Sequence, residues 1–372
     1  MYNSFSHPGL AEPRTKEEWR IYLNNRPPER PRMPSYDAYI KLSVDERDDL
    51  NDARADYHSA LAIVRTPQMR RIHHLIERRM RMNARQTAGA RRGIIVDGPP
   101  TVGKSTLVKM YAADYEHKLR RRFPEKFADG YELDGVFVDY TPVVYVSIPA
   151  QATPKDLSIL FADYLGLPDK SGTKQKITKH VLATMQAVGV ELVIIDDVHF
   201  LDLSLKEGRV VNDHLKYISN HTAATFVYTG VELKKSGLIL EGQTSTRASQ
   251  TAGRNNLCEV KNFGFRTAEE KREWAEVVVA LENTLELYRH KPGQLVKLSP
   301  YLHDRTGGSI CGLSDLLRES AVEAVMSGEE AITRRLMDTI EISEYAEAAY
   351  REVKRRQRTS SGTARPAVAA AG

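Results

Sequence analysis

Cysteine is scarce in this sequence: Cys258 and Cys311 are the only two in 372 residues. That excludes a disulfide framework and a zinc site built on thiolates. No apolar run approaches the ~20 residues needed to cross a bilayer, and the opening Met1-Tyr2-Asn3-Ser4-Phe5-Ser6-His7-Pro8 lacks the basic-then-apolar order of a secretory signal. A cytoplasmic location, with no membrane contact, is the expectation. Zinc fingers, recognition-helix motifs and RNA-binding signatures are missing as well, so base-specific readout of nucleic acid is not expected. Acid is missing where base is densest: between residues 70 and 92 only Glu77 interrupts Arg70, Arg71, Arg78, Arg79, Arg81, Arg85, Arg91 and Arg92. The net charge is a mild +5, so the clumping of the basic residues matters more than their sum. A hydrophobic share of 41% is ordinary for a globular chain, and the length suits one large α/β domain with helical additions, or two domains.

What is present is organised around a phosphate loop. Ile94-Ile95-Val96 reads as a short buried strand, Gly98-Pro99-Pro100-Thr101-Val102-Gly103 as a loop, and Lys104-Ser105-Thr106 as the opening of a helix. Loop amides and a helix N-terminus then face the same anion. In this G-x-x-x-x-G-K-[ST] pattern, Lys104 is expected to reach the β- and γ-phosphates of ATP and the Ser105 hydroxyl to sit on Mg²⁺. The segment Leu192-Val193-Ile194-Ile195-Asp196-Asp197 has the look of a central parallel strand delivering carboxylates to the sheet's C-terminal edge. Asp196 is the expected holder of the Mg²⁺ shell, and Asp197 the residue that orients the attacking water. Asp197 stands where Glu is usual, one methylene shorter, which favours slow hydrolysis. His199 is read as a satisfied histidine at a strand end ahead of one that bridges toward the site.

The remaining elements fall in order along the chain. Residues 1–41 carry Pro8, Pro13, Pro27, Pro28, Pro31 and Pro34 and are expected to be an extended, partly disordered arm. Residues 42–90 form a basic helical extension, two helices broken at Thr66-Pro67. Its arginines are either phosphate-backbone contacts or a solvated face whose stems cover the core. A second basic cluster, Lys118, Arg120, Arg121 and Arg122, ends the helix after the phosphate loop, and Thr153-Pro154 opens another helix. Thr225 to Gly230 reads as a strand with Thr229 at its tip, the position for a γ-phosphate sensor. Arg254, ahead of the strand Leu257-Cys258-Glu259-Val260, is the first candidate for an arginine finger, and Arg247 the second. The core is assigned to residues 91–265. Residues 266–350 read as a helical lid, with Thr267 capping a first helix and Thr306-Gly307-Gly308-Ser309 ahead of a helix from Ile310 to Met326; another is expected from beyond Gly328 to about Arg356. Residues 351–372 are expected to be a basic, disordered tail.

Taken together, the phosphate loop, Asp196-Asp197-Val198-His199, the strand ending Thr229-Gly230, the Gln250-x-x-x-Arg254 segment and the Thr306-Gly307-Gly308 lid start resemble the AAA+ ATPases of the TniB/TnsC group, over about residues 45 to 330. The resemblance implies an α/β P-loop NTPase with an AAA+ type parallel sheet flanked by helices, an N-terminal helical extension and a small C-terminal helical lid. It implies an ATPase that binds ATP and Mg²⁺ between subunits of a homo-oligomer, with Arg254 acting in trans. It implies rings or helical filaments on double-stranded DNA without sequence preference, and recruitment or activation of a transposase, with a target-selection protein as a further partner. The lid departs from a common AAA+ pattern, since Gly308-Ser309-Ile310-Cys311-Gly312-Leu313 offers no arginine as a second sensor and Arg318 lies two turns on. A switch more than a motor is expected. The competing readings are a helicase-loader-like AAA+ ATPase and a STAND-type nucleotide-switched scaffold; the all-helical end and basic termini argue against a small-molecule P-loop kinase.

Overall fold

The computed structural model describes residues 12–25, 28–60, 64–86, 91–128, 130–133, 136–201, 206–234, 255–343, 347, 350–351 and 355. Short apolar runs become strands: β1 (Gly93–Asp97), a small antiparallel hairpin of β2 (Tyr131–Leu133) and β3 (Val136–Val138), then β4 (Val143–Ser147), β5 (Leu192–Asp196), β6 (Thr225–Gly230) and β7 (Asn255–Glu259). The described helices are α1 (Lys16–Asn24), α2 (Tyr36–Tyr39), α3 (Val44–Ser59), α4 (Pro67–Asn83), α5 (Lys104–Arg122), α6 (Glu125–Ala128), α7 (Pro154–Tyr164), α8 (Lys174–Ala187), α9 (Lys206–Asn220), α10 (Ala268–Glu282), α11 (Gln294–Lys297), α12 (Ser299–Thr306), α13 (Ile310–Met326) and α14 (Arg334–Met337). None of them is long and apolar enough to cross a membrane.

The chain divides into two compact units, Met1–Asn25 with Gln68–Lys261, and Arg26–Pro67 with Asn262–Gly372. In the first, the strands lie in the order β4-β5-β6-β1-β7, every pair parallel. Covering helices bury both faces of a parallel sheet, so its strands read as unbroken apolar runs rather than alternating ones. Ile94, Ile95, Val144, Val193, Ile194 and Val227 are accordingly buried. Pro154 starts α7 after the Thr153 cap, whose hydroxyl and the Asp156 carboxylate satisfy each other's amides.

The second unit is helical around Trp274, Val278, Leu281, Leu302, Leu313 and Leu317. Thr267 with Glu270 forms a capping box on α10, Ser43 with Glu46 one on α3, and the Ser309 hydroxyl caps α13. A charged cluster is also buried here. Arg54 of α3 has no solvent exposure; Nη1 donates to Glu330 Oε1 at 2.9 Å, Nη2 pairs with Oε2, and Nε reaches the Glu286 carbonyl at 3.1 Å.

Three expectations change. Within the expected extended arm, residues 16–24 form α1, because Trp19 buries its indole and donates to Glu116 Oε2 at 2.8 Å, while Lys16 pairs with Asp139 at 2.8 Å. The expected 42–90 extension divides between the units, since Arg54 ties α3 to Glu330 whereas α4 buries Ile72, Ile76 and Met80 in the core of the first unit. After Gly328 the expected single helix is, up to residue 343, only the short α14, whose Thr333 cap accepts from the Leu336 amide.

Candidate nucleotide site

The C-terminal ends of β1, β5 and β6 converge, and open parallel sheets bind ligands outside this edge. The loop from Gly98 to Gly103 leaves β1 here. A Cβ on Gly98 would lie 2.2 Å from the Val260 carbonyl oxygen at the end of β7, so only glycine fits that approach. Gly103, with φ of 82°, turns the chain into α5 in the left-handed region that glycine favours. Lys104, Ser105 and Thr106 then form the first turn of α5, behind Pro99, Pro100, Thr101 and the buried Val102. Lys104 is itself largely buried, its Nζ donating to the Gly98 carbonyl at 3.0 Å and the Pro99 carbonyl at 2.6 Å. The ammonium is therefore held over the loop. The loop's base is latched by Asp97, whose carboxylate accepts from the amides of Gly98 (2.8 Å), Leu233 (2.9 Å) and Lys234 (3.0 Å).

The sheet order places β6 between the phosphate-loop strand β1 and the acidic strand β5. Thr229, fully buried at the tip of β6, donates its hydroxyl to Asp196 Oδ1, which also accepts the Asp197 amide at 3.0 Å. Asp196 Oδ2 receives the Tyr145 hydroxyl at 2.7 Å. Among the described residues no cation pairs with Asp196, although it is 1% exposed. Its hydrogen-bond donors are hydroxyls and an amide, an arrangement suited to a hard cation carried in by a nucleotide. The oxygen donors Ser105 and Asp196 fit Mg²⁺ in that role. Among the described residues no cluster of three or more His, Cys, Asp or Glu forms a cage for a metal ion of its own.

Asp197 is left-handed at φ 57° and about a third exposed. Ser147, the last residue of β4, donates to its Oδ2 at 2.9 Å, and His199 Nδ1 lies 3.8 Å from its Oδ1. Burial, together with the neighbouring Asp196, raises the Asp197 carboxyl above its ordinary range, against the lowering effect of Ser147. A carboxylate raised toward neutrality is the better proton acceptor. Of the two readings of His199, the structure favours the one toward the site, for among the described residues its buried Nδ1 has no hydrogen bond, and it lies 3.8 Å from Asp197 Oδ1.

The structure thus brings the loop residues, Asp196, Asp197 and Thr229 to one sheet edge. Arg254 and Arg247 lie outside the described residues. Arg318 donates to the Ser59 carbonyl from Nε at 3.0 Å and lies 3.3 Å from Asp315, within the second unit. Sequence reasoning missed Tyr145 and Ser147, whose spacing of two on β4 puts both on the sheet face shared with Asp196. The one available signal was two hydroxyl residues in a strand otherwise made of valine.

Fold and site together define a P-loop nucleotide-binding protein of the AAA+ type. More particularly, the sequence profile of the family described as bacterial TniB protein matches residues 54–253, over half the chain, and the chain belongs to that family. No curated protein matches the sequence. Solved structures with a similar fold include the Aeropyrum pernix ORC1 protein in complex with DNA (15% identity, 84% of this chain and 71% of that one, TM-score 0.49). Others are Cdc6p from Pyrobaculum aerophilum (13% identity, 84% and 86%, TM-score 0.46) and domain III of the Thermotoga maritima replication initiation protein DnaA (12% identity, 75% and 92%, TM-score 0.43).

Proposed function

We propose that this chain is an ATP-dependent regulator of DNA transposition, an AAA+ ATPase that assembles on duplex DNA in the cytoplasm and recruits or activates a transposase. The observation that carries the reading is the coexistence, in one unit, of the Lys104–Asp196 site and a basic face made by two adjoining helices. Helices α4 and α5 touch where Tyr111 donates to Met80 Sδ at 3.3 Å and where His73 Nε2 meets the Leu107 carbonyl at 2.9 Å. Arg71, Arg78 and Arg81 of α4, Arg85 just beyond it, and Lys118, Arg121 and Arg122 of α5 are exposed. Its one bridging acid, Glu77, is held below its usual range by hydrogen bonds from Arg81 and Lys118, at 2.7 and 3.2 Å, so cations remain in excess. Burial, and then the like charges of Arg92 and Arg78, hold the Arg79 guanidinium below its ordinary value, and a backbone of phosphates would relieve that repulsion. Such a face follows a duplex without reading its bases.

Bound MgATP would supply the phosphoanhydride whose γ-phosphoryl group passes to water. The protein's part is to hold the phosphates with loop amides and Lys104, to keep Ser105 and Asp196 on the cation, and to orient the water with Asp197. The short reach of Asp197 supports slow turnover, a timer for an assembled ring or filament. Thr229 acts through Asp196, which its hydroxyl fixes. Arg254 acts in trans from a neighbouring copy; Arg254→Ala would spare nucleotide binding and impair hydrolysis or assembly. The test is negative-stain imaging with long duplex DNA, with and without a slowly hydrolysed ATP analogue. Rings or filaments requiring both ligands support the reading, and particles indifferent to DNA defeat it. In the same assay series, replacing Arg78 and Arg121 by Ala should lower the salt slope of DNA binding by about one for each phosphate no longer neutralised.

A further inference from the structure

Tyr145 lies in the middle of β4, at the edge of the sheet, with its side chain 1% exposed. Its ring stacks on Trp19 of α1, centroids 6.2 Å apart and planes 10° apart, and Lys109 Nζ of α5 stands 5.4 Å from the ring centroid. Its hydroxyl has two carboxylates in reach: Asp196 Oδ2 at 2.7 Å and Glu12 Oε1 at 2.5 Å. A phenol carries a single proton. Two acceptors therefore compete for one donor.

The competition falls on the oxygen that matters. Asp196 Oδ1 already accepts from Thr229 and from the Asp197 amide, whereas Tyr145 is the donor found at Oδ2. Glu12 is steadied in turn by Lys109 Nζ at 3.3 Å, on the helix that begins with the phosphate-loop lysine. Residues 12–24 are fixed to the first unit by Trp19 on Glu116 and by Lys16 and Arg20 on Asp139, and Glu12 adds its charge to the field at Asp197.

We propose that Tyr145 is a positioning residue for Asp196, and that Glu12 sets its hold, so that docking of residues 12–24 governs how strongly the site takes a nucleotide-bound divalent cation. With Glu12 in place the phenol hydrogen bond is drawn toward Glu12, and Asp196 Oδ2 is left more available to the cation. When Glu12 withdraws, the phenol donates its hydrogen bond to Oδ2 alone and weakens that oxygen as a ligand. This rests on the nucleotide-site reading of Lys104 and Asp196.

The experiment measures binding of a fluorescent ATP analogue to the full chain as Mg²⁺ is varied. Glu12→Ala should raise the Mg²⁺ needed for half-saturation about fivefold, the scale of one hydrogen bond, and Glu12→Gln, which keeps an acceptor oxygen, should recover part of that shift. In a Tyr145→Phe background, which retains the ring against Trp19, Glu12→Ala should have almost no effect. Equal shifts in both backgrounds would make Glu12 a bare charge and overturn the inference, as would no shift in either; unchanged thermal unfolding of Tyr145→Phe verifies that the background is folded. A wild type whose analogue binding ignores Mg²⁺ would instead bring down the nucleotide-site reading itself, and the inference with it.

Discussion

Each unit buries a carboxylate almost completely, Asp196 in the first and Glu330 in the second, and the two are satisfied in opposite ways. Glu330 faces the Arg54 guanidinium through both of its oxygens and also accepts the Tyr288 amide at 3.1 Å. Arg54 itself lies over the Tyr288 ring, 5.0 Å from its centroid. That charge is cancelled inside the protein and its work is to hold α3. Asp196 has hydroxyls and an amide but no cation partner among the described residues. Burial of a charged group costs several kcal/mol unless it is compensated. Under the function proposed above, a carboxylate buried without a cation partner at a sheet's C-terminal edge would serve a cation from outside the chain. Asp97 marks the intermediate case, with both oxygens taken by backbone amides that fix the turn after β1.

The contrast can be broken from either side. The largest effect belongs to Arg54→Ala, which strands the Glu330 charge and should destabilise the protein by about 3–5 kcal/mol, read from urea unfolding. Replacing Arg54 and Glu330 together by Met and Leu should cost far less; an equally severe loss would mean that the ion pair is not what stabilises this unit. Lys104→Ala works the other way. It should leave unfolding nearly unchanged but weaken nucleotide binding by about 3 kcal/mol, roughly a hundredfold, and unaltered affinity in an equilibrium titration would remove the site from this loop. Ser147→Ala should have the smallest effect. Loss of its hydrogen bond lets the Asp197 carboxyl rise further, so the acid limb of the ATPase pH profile, where Asp197 gains its proton, should move to higher pH by less than about one unit. A shift to lower pH would show that Asp197 is not the titrating base.

The same contrast explains how much of the molecule was legible in the sequence. The phosphate-loop pattern is local, so Gly98 through Thr106 and the run ending in Asp196-Asp197 stood out by spacing alone, as did the Thr153 and Thr267 caps. Contacts formed across long separations gave no such signal. Arg54 and Glu330 are 276 residues apart, and Trp19 and Glu116 are 97 apart. Neither pair has a pattern that one could read along the chain. Helix α1 was hidden for a further reason: the prolines around it set the composition of the whole arm, while one buried tryptophan decides the fold of its middle. Tyr145 is a residue of β4, and only the position of Asp196 beside it reveals the second use of its hydroxyl.

The most direct test compares Asp196→Asn with Glu330→Gln in thermal unfolding, each with and without a slowly hydrolysed ATP analogue and Mg²⁺. A ligand that binds only the folded state raises its stability in proportion to ln(1 + [L]/Kd). The account predicts that Asp196→Asn unfolds at or above the wild-type temperature without ligand and loses the Mg²⁺-dependent part of the rise, whereas Glu330→Gln is already unstable without ligand. An Asp196→Asn protein that keeps the full Mg²⁺-dependent rise, or that is destabilised as much as Glu330→Gln, would contradict it.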